Sequence, residues 1–379
     1  MKNKMRTLLR NDGIQTLFAS LLCILGGLFI GFLALLIIEP SGAVEAITSI
    51  LKSFFKYSSS GLKAKYLGQI LTRTAPLLMC ALSVLFAYKV GMFNIGAAGQ
   101  YVAGACAAIY CALQWQLPWY VCILAAMAAG ALVGGISGLL KTYCNVNIVI
   151  SGIMLNWISL YLTNLIMGLV KSPNSPYTKS IRGVNPDALI PSLGLNTLFN
   201  NEKSVTIAIP LAIIMAFVAW IILNKTKFGY ELKATGYNYH AAKYCGMREN
   251  RNIILTMMIS GALAGMGAAM LYLSGIEEWE TTISSVPAMG FNGIAVAFLG
   301  GLNPIGSILS AYFIQHITLG GGNVDLTVYC AQISNLISSL IIFLCAFVGF
   351  LKYAFQIRQI KTDAAAASAA ADEEKGGQA

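Results

Sequence analysis

Apolar runs recur along the chain with short polar or basic stretches between them. Each is about as long as the roughly 20 helical residues needed to cross a bilayer core. By that length rule the pattern predicts spans at 14–38, 66–88, 92–112, 118–140, 146–170, 205–224, 252–275, 287–301, 305–320 and 326–352. The implied fold is an all-α polytopic membrane protein with about ten transmembrane helices. The first run, Ile14–Ile38, is too long for a signal-peptide core and lacks a small-residue cleavage site, so it is expected to remain as a span. Between the first two spans, AVEAITSILKSFFKY repeats apolar positions at helical spacing. That pattern predicts an amphipathic helix lying on a membrane surface.

Composition agrees with the pattern. Hydrophobic residues make up 57% of the chain and charged residues 11%, about half the charge of a soluble domain; mean hydropathy is +0.70. The net charge of +10 is concentrated at Lys2, Lys4, Arg6 and Arg10, along 225–251, and at Lys352, Arg358 and Lys361. Short basic loops mark the cytoplasmic side, so both termini are expected there, with an even number of spans. This divides the chain into a cytoplasmic 1–13, a membrane domain 14–352 with a cytoplasmic loop at 225–251, and a low-complexity, disordered tail 353–379. Loops 171–204 and 276–286 fall outside. Lys52, Lys56, Lys63 and Lys65 fall outside as well, against the rule, and the surface helix reconciles them by holding its lysines in water. No basic patch is interleaved with stacking aromatics, which argues against nucleic acid. The nine cysteines are scattered without a CxxC pair, and the two histidines, His240 and His316, lie far apart. A structural zinc site needs about four clustered ligands, so no metal or other cofactor is expected and the cysteines read as small apolar packers.

Polar and small residues interrupt this background in three places. The first is VGMFNIGAAGQ, 90–100. Gly91 and Gly96 have the spacing that opens a P-loop, but Ala97 and Ala98 stand where the lysine and hydroxyl belong, so the terminal phosphates would have no charged partner. Gly96, Gly99, Ala103, Gly104 and Ala107 suit close helix packing. Asn94 and Gln100 need polar partners inside lipid, either from protein or from a water-filled path; both readings stay open. The second is PAMGFNGIAVAFLGGLNPIG, 287–306, which again sets Phe-Asn before a Gly/Ala-rich half-span, entering from the opposite side. Opposed interrupted segments are the trace of inverted repeats around a central site. The third is FGYELKATGYNYHAAKYCGMREN, 228–250, where Asn238 is placed to cap a short helix ending at Gly246. That helix is either a plain surface helix or a docking helix for a cytoplasmic partner. Arg73, in a span kinked by Pro76, must sit near the outer surface or face an aqueous cavity, because a central arginine costs about 2.5–3.5 kcal/mol to insert. No Asp/Glu/His series forms a proton relay, so transport is driven from elsewhere or is passive.

Three stretches together resemble one family, the permease subunits of ATP-binding-cassette importers of the ribose, branched-chain amino acid and nucleoside type. LTRTAPLLMCALSVLFAYKVGMFNIGAAGQ is similar to the family's proline-bearing helix and FNIG…GQ signature. FGYELKATGYNYHAAKYCGM followed by ISGALAGMGAAM is similar to its coupling loop and next span, and MGFNGIAVAFLGGLNPIG to its late GIAVALLG…NP element. The resemblance covers about 65 to 350 and is closest to the nucleoside (simple sugar) branch. It implies a non-catalytic plasma-membrane permease working by alternating access with a second related permease, a cytoplasmic ABC ATPase and an external substrate-binding lipoprotein. It places Asn94, Gly96, Gly99 and Gln100 along the substrate path and Gly236, Ala241, Ala242 and Gly246 against the ATPase. Asn156, Trp157 and Asn292 complete the expected lining, since amides and aromatics suit a sugar or base. The sequence departs from the nucleoside branch at Ala98, near Ile148 and at Asn292, where that branch often carries acids. A simple sugar or riboflavin is therefore the alternative substrate, and a passive channel the alternative class.

Overall fold

A computed structural model describes residues 12–323, 329, 333–345, 347–354 and 356–357. The basic segment around Lys2–Arg10, Arg358, Lys361 and most of the tail 353–379 lie outside the described residues, as does part of the tenth expected span. Thirteen helices organise the rest. They are α1 Asp12–Ile38, α2 Ala43–Lys52, α3 Ser60–Tyr88, α4 Ala97–Leu113, α5 Trp119–Cys144, α6 Ile148–Met167, α7 Ala208–Lys225, α8 Lys227–Tyr237, α9 Tyr239–Tyr244, α10 Glu249–Tyr272, α11 Met289–Leu299, α12 Pro304–Gly320 and α13 Ile333–Cys345. Single turns of helix punctuate the loops. Extended pairing among the described residues is limited to two isolated bridges, Lys171 with Thr178 and Tyr177 with Glu280.

Each of the ten expected spans holds a helix, but six of the described helices are long and apolar enough to cross a membrane: those within α1, α3, α5, α6, α7 and α10. The third and eighth expected spans behave differently. Helix α4 begins at Ala97, not near 92, because Gly91 takes φ +72° and the chain turns back before coiling. Helix α11 has 11 residues, about 16 Å at 1.5 Å per residue, too short to span. Phe93 and Asn94 lie in the turn ahead of α4, whereas Phe291 and Asn292 lie within the first turn of α11.

Helix α3 is the hub. Although it carries Pro76, nearly all of its residues from Thr72 to Ala87 are buried, wrapped by α4, α7, α10, α11 and α12. The closest seam joins α5 and α10. Ala126, Gly130 and Gly134 recur every four residues on α5 and face Gly265, Gly261 and Met257 on α10, so that a Cβ added at Gly130, Gly134, Gly261 or Gly265 would fall on an opposing backbone carbonyl. Without a hydrophobic drive between helices in lipid, such backbone contact supplies the attraction. The surface helix expected between the first two spans is α2: Ala43, Ala46, Ser49 and Ile50 are buried while Lys52 and the following Lys56 stay exposed. It rests on the end of α12, where Gly320 meets the Ile50 carbonyl and the His316 ring bonds the Leu51 carbonyl at 2.9 Å.

Candidate functional site

The turn after α3 brings the chain back into the helix body. Asn94 Nδ2 donates to Gln100 Oε1 at 2.8 Å and to Ser260 Oγ at 2.7 Å, and Ser260 Oγ donates to the Ser83 carbonyl at 2.8 Å. Ser83 lies in α3 and Ser260 near the middle of α10, which sets the depth of the turn. From α6, Asn156 Oδ1 accepts the Gly99 N–H at 2.7 Å and Asn156 Nδ2 donates to the Ile95 carbonyl at 3.2 Å. The first turn of α4 has N–H groups with no partner in its own helix, and a side chain from another helix supplies one.

This knot brings together five of the seven residues expected along the path: Asn94, Gly96, Gly99, Gln100 and Asn156. Gly96 abuts Gly152 of α6, and a Cβ at Gly99 would lie 2.7 Å from the Asn156 Cα. Asn94, Gln100 and Asn156 are 2%, 0% and 2% exposed, with their amides turned to protein partners rather than to open space. Trp157 stands apart. It is 42% exposed on the far face of α6, stacked on Tyr161 with ring centroids 6.0 Å apart, among exposed Ile150, Met154, Ile158 and Leu165. Asn292 also stands apart, half-buried in the first turn of α11 and without a side-chain hydrogen bond among the described residues. Helices α4 and α11 start beside each other, Gly290 against the Ala98 backbone, and run in opposite directions: α11 descends past Cys80 to set Phe298 against Tyr88 and Phe93. Sequence reading missed Ser83, Ser260 and Gly152, whose partners lie too far along the chain for any local pattern to pair them.

At the basic end, Thr226 caps α8 by accepting the Gly229 N–H at 3.1 Å, and Asn238 caps α9 by accepting the Ala241 N–H at 3.0 Å. Gly246 takes φ +78° and closes α9 as the cap residue expected there. Of the four residues expected against the ATPase, Ala241 and Gly246 are exposed, Ala242 is turned into the body at 3% exposure, and Gly236 lies against Lys89 and Val90, where an added Cβ would come within 2.8 Å of their backbone. The exposed face carries Tyr237 and Tyr244, 91% and 93% exposed.

At the opposite end Arg73 pairs with Glu277 and lines a cavity of about 290 Å³ with Gln69, Arg182, Glu202 and Lys203. The arginine thus faces a cavity at the end of the helix body away from α8 and α9. Loop 171–204 is stitched over the helix ends: Thr178 N–H donates to the Trp279 carbonyl at 2.9 Å, Trp279 Nε1 to Asn164 Oδ1 at 2.9 Å, and Asn185 Nδ2 to the Ala112 carbonyl at 3.0 Å.

A helical body with interrupted half-spans, a polar knot at mid-depth and a capped helix pair at one end defines an integral, multi-pass membrane protein of the permease class. The chain belongs to the family described as branched-chain amino acid transport system / permease component, whose model matches residues 66–346. It is 35% identical to the guanosine ABC transporter permease protein NupP of Bacillus subtilis (strain 168), over 69% of this chain and 75% of that protein. It is 31% identical to the nucleoside ABC transporter permease protein NupB of Lactococcus lactis subsp. cremoris (strain MG1363), over 81% and 85%. The glucose ABC transporter permease protein TsgB13 of Haloferax volcanii is 27% identical over 76% and 78%. As an ABC permease subunit of the plasma membrane, the chain is not itself an enzyme; ATP hydrolysis belongs to a separate subunit, and a substrate-binding partner belongs to such systems in general.

Proposed function

We propose that this permease carries a nucleoside into the cell by alternating access. The observation that supports the reading most directly is the 35% and 31% identity to guanosine and nucleoside permeases over most of the chain. The basic end, with α8 and α9, is the cytoplasmic end in this reading, and both termini face the same side. An ATPase docks on the open face formed by Tyr237, Ala241, Tyr244 and Gly246. Gly236 and Ala242 act from behind that face, holding α8 and α9 to the body. Force on α9 passes through α8 and Gly236 to the Lys89–Gly91 turn, a few residues before Asn94, and so reaches the start of α4 and its contact with α11.

The exposed face of α6 meets a second permease, and the path runs beside it, with Trp157 and Tyr161 offering stacking surface to a base and Asn292 an uncommitted amide. Asn94, Gly96, Gly99, Gln100 and Asn156 set the wall behind that lining. An external lipoprotein delivers the solute to the end capped by loop 171–204. The membrane domain covers 14–352, with 1–13 and 353–379 as cytoplasmic extensions.

The test is uptake of labelled guanosine, other nucleosides and glucose in cells with and without the chain, alongside Trp157→Ala. Loss of nucleoside uptake in the deletion, and a lowered rate in Trp157→Ala at equal membrane abundance, is the expected result. A simple sugar is the second reading, favoured by the similarity to the glucose permease. Glucose uptake that depends on the chain while nucleoside uptake does not would establish it, and flux that survives ATP depletion would replace both readings with a passive channel.

A further inference from the structure

Helix α3 presents Tyr66, Gln69, Ile70 and Arg73 along one face, at the spacing that stacks side chains on a helix. Over about 10 Å at 1.5 Å per residue, that face passes from an aromatic ring to an amide to a guanidinium. Two cavities open on it. The one beside Tyr66 holds about 170 Å³ and is lined also by Phe54 and Tyr57. The one beside Arg73 holds about 290 Å³ and is lined also by Arg182, Glu202 and Lys203. Gln69 and Leu319 line both, so the two adjoin. Together they reach the range of about 300–1,000 Å³ typical of small-molecule sites.

The two halves of this cleft differ in chemistry. In the smaller, the Tyr57 and Tyr66 rings lie parallel with centroids 4.1 Å apart, a flat aromatic surface of the kind bases stack on. At the junction Gln69 Nε2 donates to Glu202 Oε2 at 3.3 Å, and Gln69 Oε1 has no partner among the described residues. In the larger half most charges are already answered. Arg73 pairs with Glu277, and Glu202 takes Lys65 at 3.8 Å and the Ser204 hydroxyl at 3.1 Å. Arg182 and Lys203 remain. Both are exposed, and neither has an ion pair or hydrogen bond among the described residues. The Arg182 guanidinium rests against Gly275, where an added Cβ would lie 3.3 Å from Nη2. Two uncommitted positive charges thus stand at one end of the cleft and an aromatic slab at the other.

We infer that this cleft binds a nucleoside 5′-monophosphate, its base on the Tyr57–Tyr66 slab, its sugar beside Gln69 and its phosphate on Arg182 and Lys203. A dissolved oxyanion would use the charged half alone, and a neutral nucleoside would leave both cations unanswered. The order of groups along α3 matches the order of base, sugar and phosphate. The site does not depend on which solute is carried; only its place on the outer surface rests on the topology proposed above.

The test is isothermal titration of the full chain in lipid nanodiscs with guanosine 5′-monophosphate, guanosine and inorganic phosphate. The monophosphate is expected to bind about tenfold more tightly than either of the others, the amount one charge-assisted hydrogen bond supplies. Arg182→Gln and Lys203→Gln are each expected to lower its affinity about tenfold while leaving guanosine unchanged. Tyr66→Ala is expected to weaken monophosphate and guanosine alike, by about tenfold. Lys171→Gln, exposed but outside the cleft, is expected to change nothing. Equal binding of monophosphate and guanosine, phosphate binding as tight as the monophosphate, or an equal loss in Lys171→Gln would overturn the assignment. The two cation variants, at exposed positions, decide the matter by themselves if Tyr66→Ala does not fold. Nucleoside uptake that persists while the monophosphate fails to bind would sink this site and leave the transport reading standing.

Discussion

Asn156 accepts the Gly99 N–H and donates to the Ile95 carbonyl, so α6 caps a helix that follows it nowhere in sequence. Leaving that buried N–H without an acceptor costs about 1–3 kcal/mol, more than the sub-kilocalorie average of ordinary side-chain bonds between membrane helices. Asn156→Ala is therefore expected to lower thermal stability in nanodiscs by about 1–2 kcal/mol, whereas Asn292→Ala, with no bond to lose, leaves the melting temperature unchanged. Equal melting temperatures for both would mean the knot is not holding α4. Arg73 and Glu277 make a different kind of pair. Their side chains are 32% and 36% exposed, so solvent screens them and the coupling is expected at about 0.5–1 kcal/mol. A double-mutant cycle with Arg73→Ala and Glu277→Ala measures it, and the value should fall as salt is raised.

The α5–α10 seam is where element-scale packing is least forgiving. A side chain at Gly261 or Gly130 must enter the opposing backbone, which cannot yield as a rotamer can. Gly261→Val is expected to destabilise by at least about 3 kcal/mol, the upper end for overpacking, and to abolish folded protein in the membrane. Gly168→Ala, with nothing within 4 Å of the added carbon, serves as the tolerated comparison in the same stability assay. The α8–α9 pair separates docking from folding in the same way. Ala241→Arg lies on the open face and should leave the fold intact while cutting co-purification of the ATPase at least tenfold. Gly236→Arg meets the Lys89–Val90 backbone and is expected to lose the folded protein altogether. Normal ATPase recovery with Ala241→Arg would count against the proposed docking face.

Across the whole molecule, the charge asymmetry and the stitched loops distinguish the two ends. Cys144 and Cys245 are exposed free thiols at the basic end. In a variant keeping these two cysteines alone, a membrane-impermeant maleimide is expected to label inside-out vesicles and not intact cells. The reverse pattern would invert the topology and, with it, the side on which an ATPase can dock.

The residue order by itself determined the helical class, the place of each apolar helix, the surface helix α2 and the Asn238 and Gly246 caps of α9. Each of these depends on neighbours within a turn or two, where hydrophobic period and cap chemistry act directly. The resemblance of FNIG…GQ and the coupling loop extended that reading to function, because the motifs are local strings. Only the tertiary structure decided that Asn94 bonds Gln100 and Ser260 of α10 while Asn156 of α6 holds the start of α4, that Gly130 and Gly134 meet Gly261 and Met257, and that Gly236 faces inward while Ala241 faces out. A polar residue in lipid must find a partner, and a glycine in a helix invites a close approach, but neither names the partner. Contacts between residues 57 to 177 positions apart, such as Gly99 with Asn156 and Ser83 with Ser260, are set by how the helices cross, which no local pattern of the chain records.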